Sequence, residues 1–103
     1  MLAPLAAAMN AGARLASGEY LLMLNPDVLL ERDAIARLVQ RAQSAPDTAA
    51  VAPVLRLWWA RAFLNGLGNR VGAFSWGMDN AFGHLDVGQF ASWDTLPSAC
   101  FAA

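Results

Sequence analysis

The chain has 103 residues, of which 57% are hydrophobic and 15% charged, with a formal net charge of -1. That length allows one small domain, marginally stable by itself. The composition excludes a disordered polymer, and the absence of any basic patch excludes a nucleic-acid-binding protein. Cys100 is the single cysteine, so no internal disulfide can form, which fits a reducing compartment. So apolar a balance suits the inner part of a larger fold; all seven basic residues are arginine and alanine is abundant, a bias that a skewed genome can also produce without any functional cause. Met1 to Met9 lack the basic n-region of a secretory leader. The longest apolar stretch, Tyr20 to Leu30, is broken by Asn25, Pro26 and Asp27, and falls well short of the ~20 residues that cross a bilayer.

In chain order, Leu5 to Ala16 predicts a helix. Leu5, Met9 and Ala13 recur on one face, and Leu2 and Ala16 extend the stripe. Ser17-Gly18 supplies the stop, with Gly18 expected in the left-handed conformation of a helix end. Tyr20 to Leu24 is a short continuous apolar run of the kind buried on both faces of a parallel sheet. Asn25-Pro26-Asp27 ends it. Glu31 to Ala45 predicts a second helix, with Ile35, Leu38, Val39 and Ala42 on its apolar face and Glu31 and Asp33 in its first turn. Ala49 to Leu55 predicts the next strand, which Pro53 pushes towards an edge. From Asn65 to Gly88 glycines and aromatics alternate without a sustained period, which predicts a long excursion with short strands.

Helix, strand, helix, strand predicts an α/β fold with a parallel strand–helix–strand core and a right-handed crossover. Ligands bind such sheets beyond the carboxyl ends of the strands, where Asn25 and Asp27 fall. A carboxylate there can hold a hard divalent cation, which typically takes one or two carboxylates plus substrate phosphates. The simpler reading is a strand-ending turn, for which Asn, Pro and Asp are ordinary residues.

Asn10-Ala11-Gly12, then Ser17-Gly18 leading into Tyr20 to Leu24 and Asn25-Pro26-Asp27, resembles family 2 glycosyltransferases of the GT-A fold. Val51-Ala52-Pro53, Asn65-Gly66-Leu67-Gly68, Phe82 to Phe90 and Pro97 to Ala103 extend the likeness, in the manner of rhamnosyltransferase-like members. The resemblance implies a partial GT-A domain. In it, 1–57 forms the metal- and diphosphate-binding part and 58–103 the Gly- and aromatic-rich segment leading to the acceptor side. It implies donor binding by Asn10, Gly12, Asn25 and Asp27, and a divalent cation, Mg2+ or Mn2+, on Asp27. It also implies an inverting transfer from a nucleotide-diphosphate sugar to a glycan or lipid-linked glycan, in the cytoplasm or at the inner face of the membrane, without nucleic acid. The family's nucleotide-base portion would precede residue 1 and its catalytic base would follow Ala103. No residue here is therefore assigned as that base, and the isolated chain is expected to be inactive.

Asp79, Asp86 and Asp94 do not fall at the place of the base. His84 could touch a phosphate or acceptor, although a lone histidine is more often structural. Trp58, Trp59, Trp76 and Trp93 could stack on a sugar, although ordinary packing is the commoner role. Trp58-Trp59 stands where the family pattern leads one to expect a more polar segment. Cys100 is expected to be a small buried filler. Asn65 to Gly68 lacks the preceding strand and the full fingerprint of a phosphate loop. The competing interpretations are a catalytically dead remnant or interaction module, and a piece of another nucleotide-binding α/β protein.

Overall fold

The computed structural model describes residues 2–71, 73 and 77–92. They fall into two compact units that divide between Val51 and Ala52. The elements are α1 (Leu2–Leu15), α2 (Ala34–Ser44), β1 (Leu55–Leu57), β2 (Ala60–Gly66), β3 (Asn69–Val71) and β4 (Gly77–Asp79).

The first unit holds both helices. Helix α1 matches the expected segment, and the Ala16 N–H extends its ladder to the Gly12 carbonyl at 3.1 Å. Gly18 does not take the expected positive φ. A Cβ there would lie 3.3 Å from the Tyr20 carbonyl oxygen, so crowding against the next residues favours glycine. Helix α2 starts later than expected because Asp33 is its N-cap residue, at φ -106° and ψ 6°, outside helical geometry. The Asp33 side chain makes no cap bond and instead pairs with Arg37 at 2.7 Å, one turn on. Leu38, Val39 and Ala42 are half-buried as their spacing requires, whereas Ile35 is exposed.

The expected parallel core is not found. Tyr20 to Leu24 joins no strand ladder among the described residues, and the β-pairs formed are antiparallel, in two small sheets. The strand expected from Ala49 begins only at Leu55, beyond Pro53, which has no N–H to give a ladder. Its partner is the neighbouring β2, reached through a two-residue turn at Trp58-Trp59, with Leu57 opposite Ala60. A hairpin closes at low entropic cost, whereas a parallel pairing must first close a crossover loop.

The second unit is built around β2. Its register with β1 slips between Leu55 and Arg56 and again between Arg56 and Leu57. On the other side of β2, the Leu64 N–H donates to the His84 carbonyl, the Gly83 N–H to Leu64, and the Asp86 N–H to Ala62. Chain reversals use residues at positive φ: Gly68 at 72°, Ala81 at 59° and Gly83 at 74°. Strands β3 and β4 pair in regular register, Asn69 opposite Asp79. Leu64 and Leu67 form the buried apolar centre, with Asn80 buried beside it. The Asn80 backbone exchanges hydrogen bonds with Leu67 and Gly68, and its side-chain amide donates to the Leu67 carbonyl at 3.3 Å. This corner therefore satisfies its own buried polar groups, as a small core requires.

Candidate functional site

In the first unit, α1 and the extended run face each other across a groove of about 320 Å³. Met9, Gly12, Ala13 and Ala16 line one wall, and Tyr20 to Leu24 line the other. The helical spacing of those α1 residues puts them on one face, so the apolar stripe read from the sequence is the face that meets the run. Gly12 belongs to this wall, and a Cβ built on it would meet nothing within 4 Å. Asn10 is exposed and does not line the groove.

Asn25 and Asp27 follow the groove wall directly in the chain. Pro26 and Asp27 form a turn, and both Asn25 and Asp27 are exposed. Pro26 restrains Asn25 to extended backbone, which carries the run straight into the turn. The Asp27 carboxylate has no hydrogen-bond or ion-pair partner among the described residues. No group of three or more His, Cys, Asp or Glu side chains stands together among the described residues. Asp27 thus fits a cation whose other ligands are substrate phosphates and water, as Mg2+ commonly has, and does not fit an all-protein metal cage. The structure brings Gly12 together with the run that leads to Asn25 and Asp27, and it leaves Asn10 outside the groove.

Among the described residues, the carboxylates of the second unit, Asp79 and Asp86, are engaged elsewhere. Asp79 accepts from the Asn69 amide at 2.6 Å. Asp86 accepts from the Gly88 N–H at 3.1 Å and from the Arg56 guanidinium. These two donors, the Gly88 N–H first, hold the Asp86 carboxyl below its usual value of 3.8, because both favour the charged form. Gln89 completes the loop: its side chain accepts from the Val87 N–H at 2.8 Å and donates to the Leu85 carbonyl at 2.7 Å. The sequence reading missed this clasp, although Asp86 two residues before Gly88 is a recognisable turn signal.

His84 is exposed, and its ring meets Phe90 edge-on at 6.1 Å. Trp58 and Trp59 are not packed as expected: they are 60% and 81% exposed at the β1–β2 turn, with the Arg61 guanidinium 5.0 Å from the Trp58 ring centre. Trp76, Trp93, Asp94 and Cys100 lie outside the described residues.

Among the described residues no helix is long and apolar enough to cross a membrane. No curated protein and no solved structure matches the chain. The glycosyl transferase family 2 profile matches residues 4–82, which run from α1 through the Asn25-Pro26-Asp27 turn and α2 to the corner after β4. With that profile covering most of its length, the chain belongs to glycosyl transferase family 2.

Proposed function

We propose that this chain is the donor-binding piece of a glycosyltransferase that moves a sugar from a nucleotide diphosphate to a hydroxyl of a glycan or lipid-linked glycan. The observation that carries the reading is the unpartnered, exposed Asp27 carboxylate in the turn that follows the groove wall, inside the family match. Asp27 holds Mg2+ or Mn2+ at the donor diphosphate, and Asn25 donates from its side-chain amide to a diphosphate oxygen. Gly12 leaves the groove wall open to the donor. Asn10 stands outside the groove, and its place in the donor site rests on the family match alone. When bound, the cation neutralises charge on the departing diphosphate. Association with the inner face of the membrane accompanies a lipid-linked acceptor.

Transfer by this chain alone is not expected. Asp79 and Asp86 are already engaged with Asn69 and Arg56, so neither offers an unengaged carboxylate as general base. The second reading is an interaction module without catalysis. Calorimetry of uridine and thymidine diphosphate with Mn2+, on the wild type and on Asp27→Ala, separates the two. Metal-dependent binding that weakens at least about tenfold in the variant supports the donor site, a loss of about 1.4 kcal/mol. Equal binding by both proteins removes Asp27 from any site, and no binding by either favours the non-catalytic module.

A further inference from the structure

The β1–β2 turn has a composition that its own conformation does not call for. Two-residue hairpin turns favour Gly, Asn or Asp because their central residues take positive φ. Here the central residues are Trp58 and Trp59, neither has positive φ, and the register slips beside them. Two indoles therefore occupy a tip where backbone geometry gives them no role. Neither is packed into the core: both stand largely in solvent, and Trp58 is met by the Arg61 guanidinium.

The chemistry around the tip narrows what would cover it. Residues 55–62 carry Arg56 and Arg61 and no carboxylate. Arg56 is drawn back to Asp86, while Arg61 stays at the tip with its guanidinium over Trp58. Adjacent tryptophans with a cation beside them match the headgroup layer of a bilayer, where indoles sit half in hydrocarbon and arginines meet anionic lipid. A sugar-stacking site asks for a concavity with converging polar groups, and a two-residue hairpin tip projects instead.

We propose that Trp58 and Trp59 form an interfacial anchor that inserts into the headgroup region of an anionic membrane, with Arg61 contacting lipid phosphate. The proposal specifies the surface through which the membrane-proximal part of the proposed function would operate, and it does not depend on Asp27.

The test is co-sedimentation of the full chain with phosphatidylcholine vesicles and with equimolar phosphatidylcholine–phosphatidylglycerol vesicles, together with quenching of tryptophan emission by brominated lipid. The wild type is expected to bind the anionic vesicles and to be quenched. Replacing both residues, W58A with W59A, is expected to lower partitioning at least about tenfold and to abolish the excess quenching, because it removes the apolar area the bilayer would cover. Arg61→Gln is expected to weaken binding about fivefold on anionic vesicles and to leave zwitterionic binding unchanged. Leu22→Ser, in the exposed run of the other unit, is expected to leave partitioning unchanged, as is Asp27→Ala, so failure of the donor-site reading stays distinguishable from failure of this one. Retained partitioning in the double tryptophan variant overturns the proposal. So does loss caused by Leu22→Ser instead, or quenching by soluble oligosaccharide without vesicle binding.

Discussion

The two units put a similar apolar content to different use. The second closes a small centre: Leu64 and Leu67 are buried, and backbone bonds from β1, from the returning 83–86 segment and from Asn80 surround them, while Trp58, Trp59, Phe82 and Val87 stay exposed around it. The first turns it outward. Helix α2 buries no residue, and Leu21, Leu22 and Met23 are exposed along a run without a ladder. Antiparallel hairpins complete themselves from neighbouring residues, whereas a parallel strand depends on partners distant in sequence. Local structure is therefore finished in one unit and left open in the other, and the open one carries the proposed donor site.

Leu64→Ala should break this contrast most severely, because it empties the centre of the second unit. A loss of about 2–5 kcal/mol is expected there. Hydrogen exchange should show protection vanish across β2 and residues 80–86 while α2 keeps its own modest protection. Equal loss in both units would mean that they fold as one. Exchange in the wild type sharpens the same point: the amides of Tyr20 to Leu24 should exchange far faster than those of Leu64 and Leu67.

Asp86 comes next. Its depressed carboxyl means that the Gly88 N–H bond, and after it the Arg56 contact, contribute fully above the ordinary carboxylate value, 3.8. The contribution is lost as pH falls through the lower value of the folded state. Carboxyl NMR titration should give a midpoint below that ordinary value, and Arg56→Gln should move it back up. Asp86→Asn should destabilise the second unit at neutral pH and converge with the wild type at strongly acidic pH.

In the first unit, Gly12→Ala should stabilise α1 by about 1 kcal/mol, since alanine is the better helix former and the added methyl meets open space. Weaker nucleotide-diphosphate binding alongside that gain would place the donor against the helix backbone. Arg37→Ala should change stability by less than about 0.5 kcal/mol, because its pairing with Asp33 is exposed. A urea midpoint outside that range would show that α2 leans on this pair more than its exposure suggests.

Both helices were legible in the sequence because a 3.6-residue stripe belongs to the element itself. Met9 and Ala13 on α1 face the run, and Leu38 and Val39 on α2 are half-buried, as their spacing requires. Tyr20 to Leu24 was legible as an extended apolar run, but its pairing was not, since pairing is a property of two segments. The clasp around Asp86 was missed because it joins residues 30 positions apart, Arg56 and Asp86. Asp27 could be read as a turn residue with metal-binding chemistry. Its lack of a competing partner became visible only in three dimensions. Trp58 and Trp59 were misjudged because large apolar residues are usually packed, and hairpin tips are an exception that composition does not announce.

Asn80 reaches back 13 residues to hold the Leu67 carbonyl with its side chain, and its backbone closes on the same corner. During synthesis the bend at Gly68 therefore has nothing to lock onto until Asn80 has cleared the ribosome. The free flank of β2 waits longer still, until residues 83–86 follow, which at roughly 5–20 residues per second takes about one to four seconds from the end of β2. In that interval the hairpin has only its own β1–β2 pairing to hold it.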